Sequence, residues 1–252
     1  MQRVLITGAT GAIGGALAEV YAAPGIELHL HGRNETKLAA VAARCSALGA
    51  NVLTSRFDLR DTAALRGWIS SICATQALDL VIINAGMNTN IGPAGEGEPW
   101  DDVEALIDIN LKASMAIASG VLPAMRQRAC GQIVLVSSLA GYFGLPVTPA
   151  YCASKAGIKA YGEALRGWLA PEGIRVNVIM PGYVESPMCN AMPGPKPFLW
   201  QPARAARFIR QGLEKDKARI SFPFPLNFGT WFLAVLPAAV SLRILSILGY
   251  RG

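Results

Sequence analysis

The sequence is poor in charge, in cysteine and in histidine. Charged residues make up 16% of its 252 residues and apolar residues 52%, a composition that suits a buried core and excludes a disordered chain. The five cysteines form no C-x-x-C pair, so we expect reduced thiols in the cytoplasm rather than disulfides or a zinc site. The two histidines, His29 and His31, have no third ligand near them in sequence, so we expect no metal.

Acidic residues are fewer than basic ones, 17 against 23, which gives a net charge of +6. The basic residues are scattered without a run of five or six, and no strand carries an aromatic–basic motif. We therefore expect no nucleic-acid partner. An anionic cofactor or an anionic membrane surface explains the excess of positive charge as well as a nucleic acid would. We also expect no cleavable signal peptide, because residues 2–6 resemble a core strand that runs into a glycine turn.

Short apolar runs alternate with longer helical patterns along the chain, and no linker rich in proline, glycine or serine divides the first 180 residues. This rhythm predicts an α/β fold with a doubly wound, Rossmann-like parallel sheet, helices on both faces, and one domain over residues 1–252. The predicted strands are 2–6, 26–31, 51–55, 79–83, 131–137, 173–179 and, more weakly, 219–222. The predicted helices are 13–23, 35–48, 61–73, 99–128, 150–169 and 202–214.

Two segments depart from this rhythm. Residues 186–202 hold five prolines, including Pro193, among Met and aromatic residues, and we expect an irregular substrate loop there. Residues 222–252 form an apolar C-terminal extension in which 21 nearly uncharged residues, 228–248, are long enough to span a bilayer. Pro237 and Arg243 argue against a span. We expect two shorter apolar helices, packed on a partner subunit, over the substrate loop or against the membrane surface.

Contact with a partner subunit or with the loop is slightly favoured over contact with a membrane. Basic residues flank the extension on both sides, with Lys215, Lys217 and Arg219 before it and Arg251 at its end. These side chains would suit anionic headgroups. We therefore expect a cytoplasmic protein, with peripheral membrane association as the alternative.

A glycine-rich turn lies between the first strand and the first helix. It runs from Thr7 to Gly14 and reads T-G-A-T-G-A-I-G, with Gly8, Thr10, Gly11 and Ile13 inside it. Glycine lets the backbone turn with positive φ and approach a pyrophosphate, and the helix N-terminus presents free N–H groups to it. The pattern is weak alone, but its place between a strand and a helix favours a dinucleotide over a mere tight turn.

The end of the second strand indicates which dinucleotide binds. Folds that prefer NAD commonly place a carboxylate there to bind the ribose 2′-hydroxyl. This sequence has Gly32 followed by Arg33. A guanidinium can pair bidentately with a 2′-phosphate, so we predict NADP rather than NAD. The alternative is that Arg33 only solvates a loop.

Ser138, Tyr151 and Lys155 have the spacing of a proton-transfer site. Tyr151 and Lys155 are four residues apart and so share one face of a helix, and Ser138 follows a buried strand 13 residues upstream. A phenol titrates near pH 10, which is too high for a base at neutral pH, and a neighbouring ammonium should lower that value. Ser138 would hydrogen-bond the substrate oxygen.

With these motifs in order, the chain resembles the short-chain dehydrogenase/reductase family in its single-domain form, from Thr7 to about Met188. The matching segments are Tyr151-Cys-Ala-Ser-Lys155, Ser137-Ser138, Asn84-Ala85-Gly86, Phe57-Asp58-Leu59, Asn110, and Pro181-Gly182-Tyr183-Val184-Glu185-Ser186. The resemblance implies hydride transfer between a nicotinamide cofactor and a hydroxyl or carbonyl carbon. It makes Ser138, Tyr151, Lys155 and Asn110 catalytic, with Asn110 completing a proton relay through water.

The same resemblance assigns the cofactor-binding residues. Asp58 and Leu59 would meet the adenine, Lys155 would hold the nicotinamide ribose, and Ser186 would lie near the carboxamide. The other implied contacts are made by the glycine turn, by Asn84, Ala85 and Gly86, by Tyr151, and by Pro181, Gly182 and Val184.

One departure concerns the subfamily. The turn has the spacing T-G-x-x-G-x-x-G rather than T-G-x-x-x-G-x-G, which resembles the branch that modifies sugar nucleotides. A dehydrogenase of sugar or polysaccharide precursors therefore remains an alternative. A dinucleotide sensor without catalysis is a second one, although the intact catalytic residues argue against it.

The residues expected around the substrate are mostly apolar. They are Met87, Asn88, Tyr142, Phe143, Leu145, Met188, Met192, Phe198, Leu199 and Trp200. They suit a bulky or lipophilic small molecule, unless they only close the core under a loop. The helix from residue 151 carries a stripe of small residues, Ala153, Ala156, Gly157, Ala160 and Ala164. Together with the resemblance, this stripe predicts a homodimer or homotetramer, unless it packs on its own sheet.

Overall fold

The computed structural model of the chain describes residues 2–75, 78–92, 94–192 and 194–250. Within these ranges the strands are β1 (Gln2–Thr7), β2 (Ile26–His31), β3 (Asn51–Ser55), β4 (Leu80–Ile83), β5 (Gly131–Val136), β6 (Ile174–Pro181) and β7 (Arg219–Phe222). The helices are α1 (Ala12–Tyr21), α2 (Glu35–Ala47), α3 (Thr62–Thr75), α4 (Trp100–Ile107), α5 (Ser114–Arg128), α6 (Pro149–Leu169), α7 (Pro187–Ala191), α8 (Pro202–Glu214), α9 (Leu226–Val235) and α10 (Ala238–Ile247).

All seven strands form one parallel sheet in the order β3-β2-β1-β4-β5-β6-β7. The predicted doubly wound fold and its single domain are confirmed. The strand order reverses between β1 and β4, and ligands of such sheets bind in the crevice outside the carboxyl ends of the strands at that point. The residues that follow β1, β4 and β5 therefore meet at one edge of the sheet.

The apolar runs of the strands pack on both faces of the sheet. Leu28 and Leu30 of β2 lie in the core layer that includes α1, α2 and α8. Ile133 and Leu135 of β5 lie in the opposite layer with α3, α5 and α6. All six residues of β5 are buried. A strand covered on both faces cannot alternate apolar and polar residues, which explains the unbroken runs in the sequence.

The predicted helix 99–128 is interrupted in its middle. A π-helical stretch, Asp108–Ala113, separates α4 from α5. Taken together, Trp100–Arg128 is long and apolar enough to cross a membrane by length and composition. Ile117, Val121 and Met125 of this helix are buried in the core against the sheet, as expected of the core helix of a globular domain.

The C-terminal extension folds as the two short apolar helices that the sequence predicts, α9 and α10, on either side of Pro237. Each has 10 residues and is therefore about 15 Å long, roughly half the thickness of a bilayer core. The buried Ser241 hydroxyl donates to the Leu233 carbonyl over 2.7 Å and joins the two helices. Arg251 lies outside the described residues.

The predicted irregular loop, residues 186–202, is partly helical because it contains α7. The Ser186 hydroxyl caps this helix by accepting a hydrogen bond from the Cys189 N–H at 3.0 Å, and Pro187 occupies its first turn. A serine cap followed by proline is a strong helix start. An isolated parallel bridge between Val184 and Trp200 joins the end of the loop to the residues that precede it. Pro193 lies outside the described residues.

Two glycines of α6 allow a test of how tightly this helix packs on the sheet. A Cβ added at Gly162 would lie 2.5 Å from Cγ2 of Val178 and 2.9 Å from Cδ1 of Leu135, whereas one added at Gly167 would meet nothing within 4 Å. Gly162→Ala should lower the free energy of unfolding by about 1–3 kcal/mol through overpacking. Gly167→Ala, its control, should raise it by up to about 1 kcal/mol through helix propensity. Equal urea midpoints for the two variants would contradict this account of the packing.

Candidate active site

The glycine turn after β1 folds back on the residues that follow β4. Gly8 has φ +67°, and a Cβ there would lie 2.8 Å from Cα of Ala85, so both conformation and space require glycine. The Gly11 N–H donates to the Gly8 carbonyl at 3.0 Å. No side chain caps α1 and no acidic residue lies in its first turn. The first N–H groups of α1 are therefore available to an anion such as a pyrophosphate.

Thr7 and Asn84 join this turn to the end of β4. The fully buried Thr7 hydroxyl accepts from the N–H groups of Asn84 and Ala85 at 3.0 and 3.1 Å. The Asn84 amide donates to the carbonyls of Thr7 and Gly8 at 3.1 and 3.2 Å. The N-A-G segment, residues 84–86, thus fixes the conformation of the glycine turn. A Cβ added at Gly86 would lie 3.1 Å from Oδ1 of Asn110 and 3.4 Å from Nζ of Lys155, so this segment also contacts the predicted catalytic residues.

The ends of β2 and β3 form a rim rich in arginine. A Cβ at Gly32 would lie 2.5 Å from Cγ2 of Thr10, so Thr10 fills the space that a larger residue would occupy. Arg33 is largely exposed, with Nη1 4.0 Å from Oδ2 of Asp58. Arg60 donates to the same carboxylate at 2.7 Å and holds the pKa of Asp58 below its usual range.

The sequence analysis considered only Arg33 and missed two further arginines of this rim, Arg60 and Arg56. The Arg56 guanidinium lies 3.3 Å from the Glu35 carboxylate. Leu59, between Asp58 and Arg60, is buried, and Ile13 packs on the core from α1. The signal for the missed residues was the sequence R-F-D-L-R at residues 56–60, which places a basic residue on either side of the expected adenine contact.

Ser138, Tyr151 and Lys155 come together beyond the carboxyl end of β5. Ser138 has extended backbone, and its hydroxyl accepts from the Ala140 N–H at 3.1 Å. It lies close enough to the phenol of Tyr151 to lower the pKa of that group. Nζ of Lys155 lies 5.5 Å from the centre of the Tyr151 ring and donates to the Val136 carbonyl at 3.0 Å. The three side chains predicted from spacing therefore share one location.

Asn110 lies in the π-helical stretch and is buried. Its amide donates to the Met87 carbonyl at 2.9 Å and to the Ser154 hydroxyl at 3.0 Å, and its Oδ1 accepts from the Met87 N–H at 2.9 Å. The side chain thus fixes the segment after Gly86 against α6. Single π-helical turns inside helices are frequent at functional sites because they interrupt the regular backbone pairing.

The electrostatics of the pair differ from the expectation that Lys155 lowers the pKa of Tyr151. Burial raises the pKa of Tyr151 to about 12, and the Ser138 hydroxyl lowers that pKa by a smaller amount. Burial also lowers the pKa of Lys155 to about 8. Desolvation disfavours both the Tyr151 phenolate and the Lys155 ammonium. Nζ of Lys155 donates its hydrogen bond to the Val136 carbonyl rather than to the phenol. In the protein alone, Tyr151 therefore keeps its proton at neutral pH.

The segment after β6 is covered by the C-terminal extension. The Gly182 N–H donates to the Phe222 carbonyl at 2.7 Å, and a Cβ there would lie 3.0 Å from Cδ2 of Leu226. The hydroxyl groups of Tyr183 and Tyr250 are 2.8 Å apart, and Tyr250 donates to the Pro195 carbonyl at 3.0 Å. Tyr250 thus ties the extension to the substrate loop, a link that sequence reasoning did not find.

The expected substrate walls divide into two groups. Phe143 and Leu145 pack against the buried Leu233, Leu245 and Tyr250 of the extension. Met188, Phe198 and Leu199 are exposed on the substrate loop.

The placement of Trp200 in the substrate wall was wrong. Trp200 stacks on Phe222 with ring centres 4.9 Å apart and meets Phe208 at 5.5 Å. Trp200 therefore packs, partly buried, on the core that includes α8 and β7.

A doubly wound parallel sheet with this glycine turn at its switch point defines a dinucleotide-binding protein of the Rossmann class. The sequence profile of the short chain dehydrogenase family matches residues 2–194. The chain belongs to this family, and it is an NAD(P)-dependent oxidoreductase of CH–OH and C=O groups.

Curated relatives agree with this placement. An uncharacterized oxidoreductase of Myxococcus xanthus is 36% identical over 94% of this chain and 93% of its own length. A 3-oxoacyl-acyl-carrier-protein reductase of Rickettsia felis is 33% identical over 75% of each chain.

Solved structures share the fold. A short-chain dehydrogenase from Sphingobium yanoikuyae in complex with NADPH superposes with a TM-score of 0.81 at 24% identity, covering 100% of this chain and 97% of its own. A metagenomic short-chain oxidoreductase in complex with NADP gives 0.72 at 27% identity over 88% and 95%. An NAD⁺-bound xylitol dehydrogenase gives 0.68 at 31% identity over 73% and 71%.

Burial of Lys155 should destabilise the protein without cofactor. The pKa of this side chain falls from 10.5 to about 8, so below pH 8 the folded state holds an ammonium that prefers water. Each pKa unit corresponds to about 1.4 kcal/mol, and loss of the hydrogen bond to the Val136 carbonyl offsets about 1 kcal/mol of the gain on replacement. Lys155→Met should therefore raise the free energy of unfolding at pH 7 by about 2 kcal/mol.

The sign of the pH dependence provides a second check. As pH rises from 8 towards 10.5, the wild-type lysine becomes neutral in the folded state first, so wild-type stability should rise and the advantage of Lys155→Met should shrink. Lys159→Met is the control, because Lys159 lies one turn further along α6 in a partly exposed pair with Glu163 at 3.0 Å. It should change stability by less than about 1 kcal/mol. Urea unfolding at pH 7 and pH 10 measures both, and a loss of stability in Lys155→Met at pH 7 would refute the argument.

Proposed function

We propose that the protein is an NADP(H)-dependent oxidoreductase that interconverts a hydroxyl and a carbonyl group on a bulky or lipophilic small molecule in the cytoplasm. The observation that carries the proposal is the meeting of Ser138, Tyr151 and Lys155 beyond the carboxyl end of β5, with Lys155 over the tyrosine ring. A protonated phenol beside a serine hydroxyl is suited to donate a proton to a carbonyl oxygen. Reduction is therefore the direction for which the residues are poised.

The turn after β1 fits a dinucleotide, because the glycines leave backbone exposed where a side chain would fill the space. The hydride is what a nicotinamide cofactor supplies when bound. Ser138 orients the substrate oxygen, and Tyr151 donates a proton to that oxygen during reduction. In the reverse direction Tyr151 must lose its proton, and the Lys155 ammonium would then stabilise the phenolate.

Asn110 has a positioning role in this scheme. Its side-chain amide is occupied by Met87 and Ser154, and we expect it to support a proton relay through water by holding the segment after Gly86 in place. A relay would return a proton to Tyr151 after each reduction. The segment after β6 supplies the remaining cofactor contacts, from Pro181, Gly182, Val184 and Ser186.

A lipophilic substrate is supported by the walls around Ser138. Phe143 and Leu145 face the apolar inner side of α9 and α10, and Met188, Phe198 and Leu199 lie along the loop. The Rickettsia felis relative is named as a 3-oxoacyl-acyl-carrier-protein reductase, and its substrate by that name carries a carbonyl group on an acyl chain.

An oligomer is supported by α6. Its small residues Ala153, Ala156, Ala160 and Ala164 are exposed rather than packed on the sheet, so a second helix can approach closely. We propose a homodimer or homotetramer that uses this face.

Preference for NADP(H) is supported by the arginine rim. Arg33, Arg56 and Arg60 face two carboxylates, Glu35 and Asp58, so a 2′-phosphate would meet an excess of positive charge. Two of the solved neighbours hold NADPH or NADP, and a third holds NAD⁺.

Arg33→Ala should weaken NADPH by about 1.5–3 kcal/mol, which is the loss of a charged hydrogen bond, and should leave NADH nearly unchanged. Arg44→Ala removes an exposed arginine of α2 that pairs with Glu19 at 2.6 Å and controls for net charge. Fluorescence titration with both cofactors measures the effect. Equal affinity of the wild type for NADPH and NADH would refute the assignment.

Tyr151→Phe should abolish turnover of a panel of apolar ketones with NADPH while leaving cofactor affinity near the wild-type value, since only the proton donor is lost. Tyr161→Phe, on the same helix and only half-buried, should retain activity. An inactive wild type with intact cofactor binding would favour a dinucleotide sensor. Substantial activity of Tyr151→Phe would show that another group donates the proton.

A further inference from the structure

The outer side of the C-terminal extension is apolar. More than half of the large apolar side chains that the described residues expose lie between Phe224 and Leu248. Phe224 is 78% exposed and Ile247 74%. Phe228, Trp231 and Phe232 form a ring cluster with centres 5.7 and 6.3 Å apart. We call the outer side chains of α9 and α10, together with Phe224, the tail face.

The inner side of the same helices is apolar as well. Leu233 and Leu245 are buried against Phe143 and Leu145, and the buried Ser241 is satisfied by its bond to Leu233. A helix at a protein–water boundary normally has a polar outer side. Because α9 and α10 are apolar on both sides, the tail face has the composition of a surface that another apolar phase covers.

The charged residues within the C-terminal segment, 217–250, are all positive. No Asp or Glu occurs from Lys217 to Tyr250, whereas Lys217 and Arg243 are exposed. A two-fold interface with a second copy sets the same patch against itself, so it would bring these cations together without a carboxylate. An anionic lipid surface supplies the opposite charge.

A groove next to Phe224 adds a place for an anionic group. It has a volume of about 480 Å³, and Arg204, Arg207, Phe224 and Asn227 are among its lining residues. The Arg204 guanidinium lies 4.0 Å from the centre of the Trp200 ring. None of the residues lining the groove is acidic. Guanidinium groups bind phosphate oxygens bidentately, and here they lie where the tail face begins.

We propose that the protein docks on the surface of an anionic phospholipid membrane through the tail face, with Arg204 and Arg207 binding lipid phosphates. Helices of 10 residues are too short to span a bilayer and would lie in the interface plane. The Trp and Phe rings of α9 would lie at the headgroup boundary. A consequence that rests on the proposed lipophilic substrate is that the substrate loop would lie beside the membrane.

The test uses the full-length protein and sedimentation with vesicles, without cofactor or substrate, so that its outcome is independent of the proposed activity. Vesicles of phosphatidylcholine with about 30% phosphatidylglycerol should bind the wild type at least tenfold better than phosphatidylcholine alone. The double variant Phe228→Glu/Trp231→Glu should lose at least tenfold of this binding. Its control is Trp100→Glu, which charges a 73% exposed tryptophan on α4 and should bind normally.

A second pair separates the groove from the apolar contact. Arg204→Gln/Arg207→Gln should lose most of the gain due to phosphatidylglycerol, and Arg126→Gln, a surface arginine paired with Glu172, should keep it. Thermal unfolding checks that each variant folds. Failure of the folded wild type to bind either vesicle overturns the proposal. The proposal is also overturned if neither the wild type nor Phe228→Glu/Trp231→Glu binds vesicles and the variant forms a smaller oligomer than the wild type in sedimentation velocity. In that case a second copy of the chain covers the tail face.

Discussion

The structure depends on one junction, where the turn after β1 meets the segment after β4. Thr7 and Asn84 are 77 positions apart in sequence, and four hydrogen bonds from Asn84 and Ala85 to Thr7 and Gly8 join them. The Gly8 backbone can approach Ala85 only because it has no Cβ. Since strand order reverses at this point, the junction opens the crevice in which a dinucleotide can lie.

The groups expected to move protons lie in surroundings that oppose their charge. Burial shifts the pKa of Tyr151 up and that of Lys155 down, so the charged form of each is destabilised. The Val136 carbonyl accepts a hydrogen bond from Lys155 without supplying a counter-charge. A bound cofactor and substrate would change this balance because they add polar groups and exclude water. The site is therefore arranged for a complex rather than for the protein alone.

Local patterns predicted most of the fold. Each strand of a doubly covered sheet must be apolar on both faces, so the runs in β1, β4 and β5 identified it. Ser138, Tyr151 and Lys155 could be placed together because a helical turn and a strand end fix their relation. Two features depend on contacts between distant segments and left no local pattern. They are the π-helical stretch at Asn110 and the packing of Trp200 in the core.

The C-terminal extension illustrates why the same composition allowed several interpretations. Apolar residues occur on all sides of α9 and α10, so periodicity could not distinguish an inner from an outer side. The structure separates them through a few polar atoms, since Ser241 and Tyr250 find partners only on the inner side. Tyr250 reaches both Tyr183 beside the cofactor segment and Pro195 in the substrate loop. A partner that covers the outer side therefore contacts an extension that is already hydrogen-bonded to the segment after β6 and to the substrate loop.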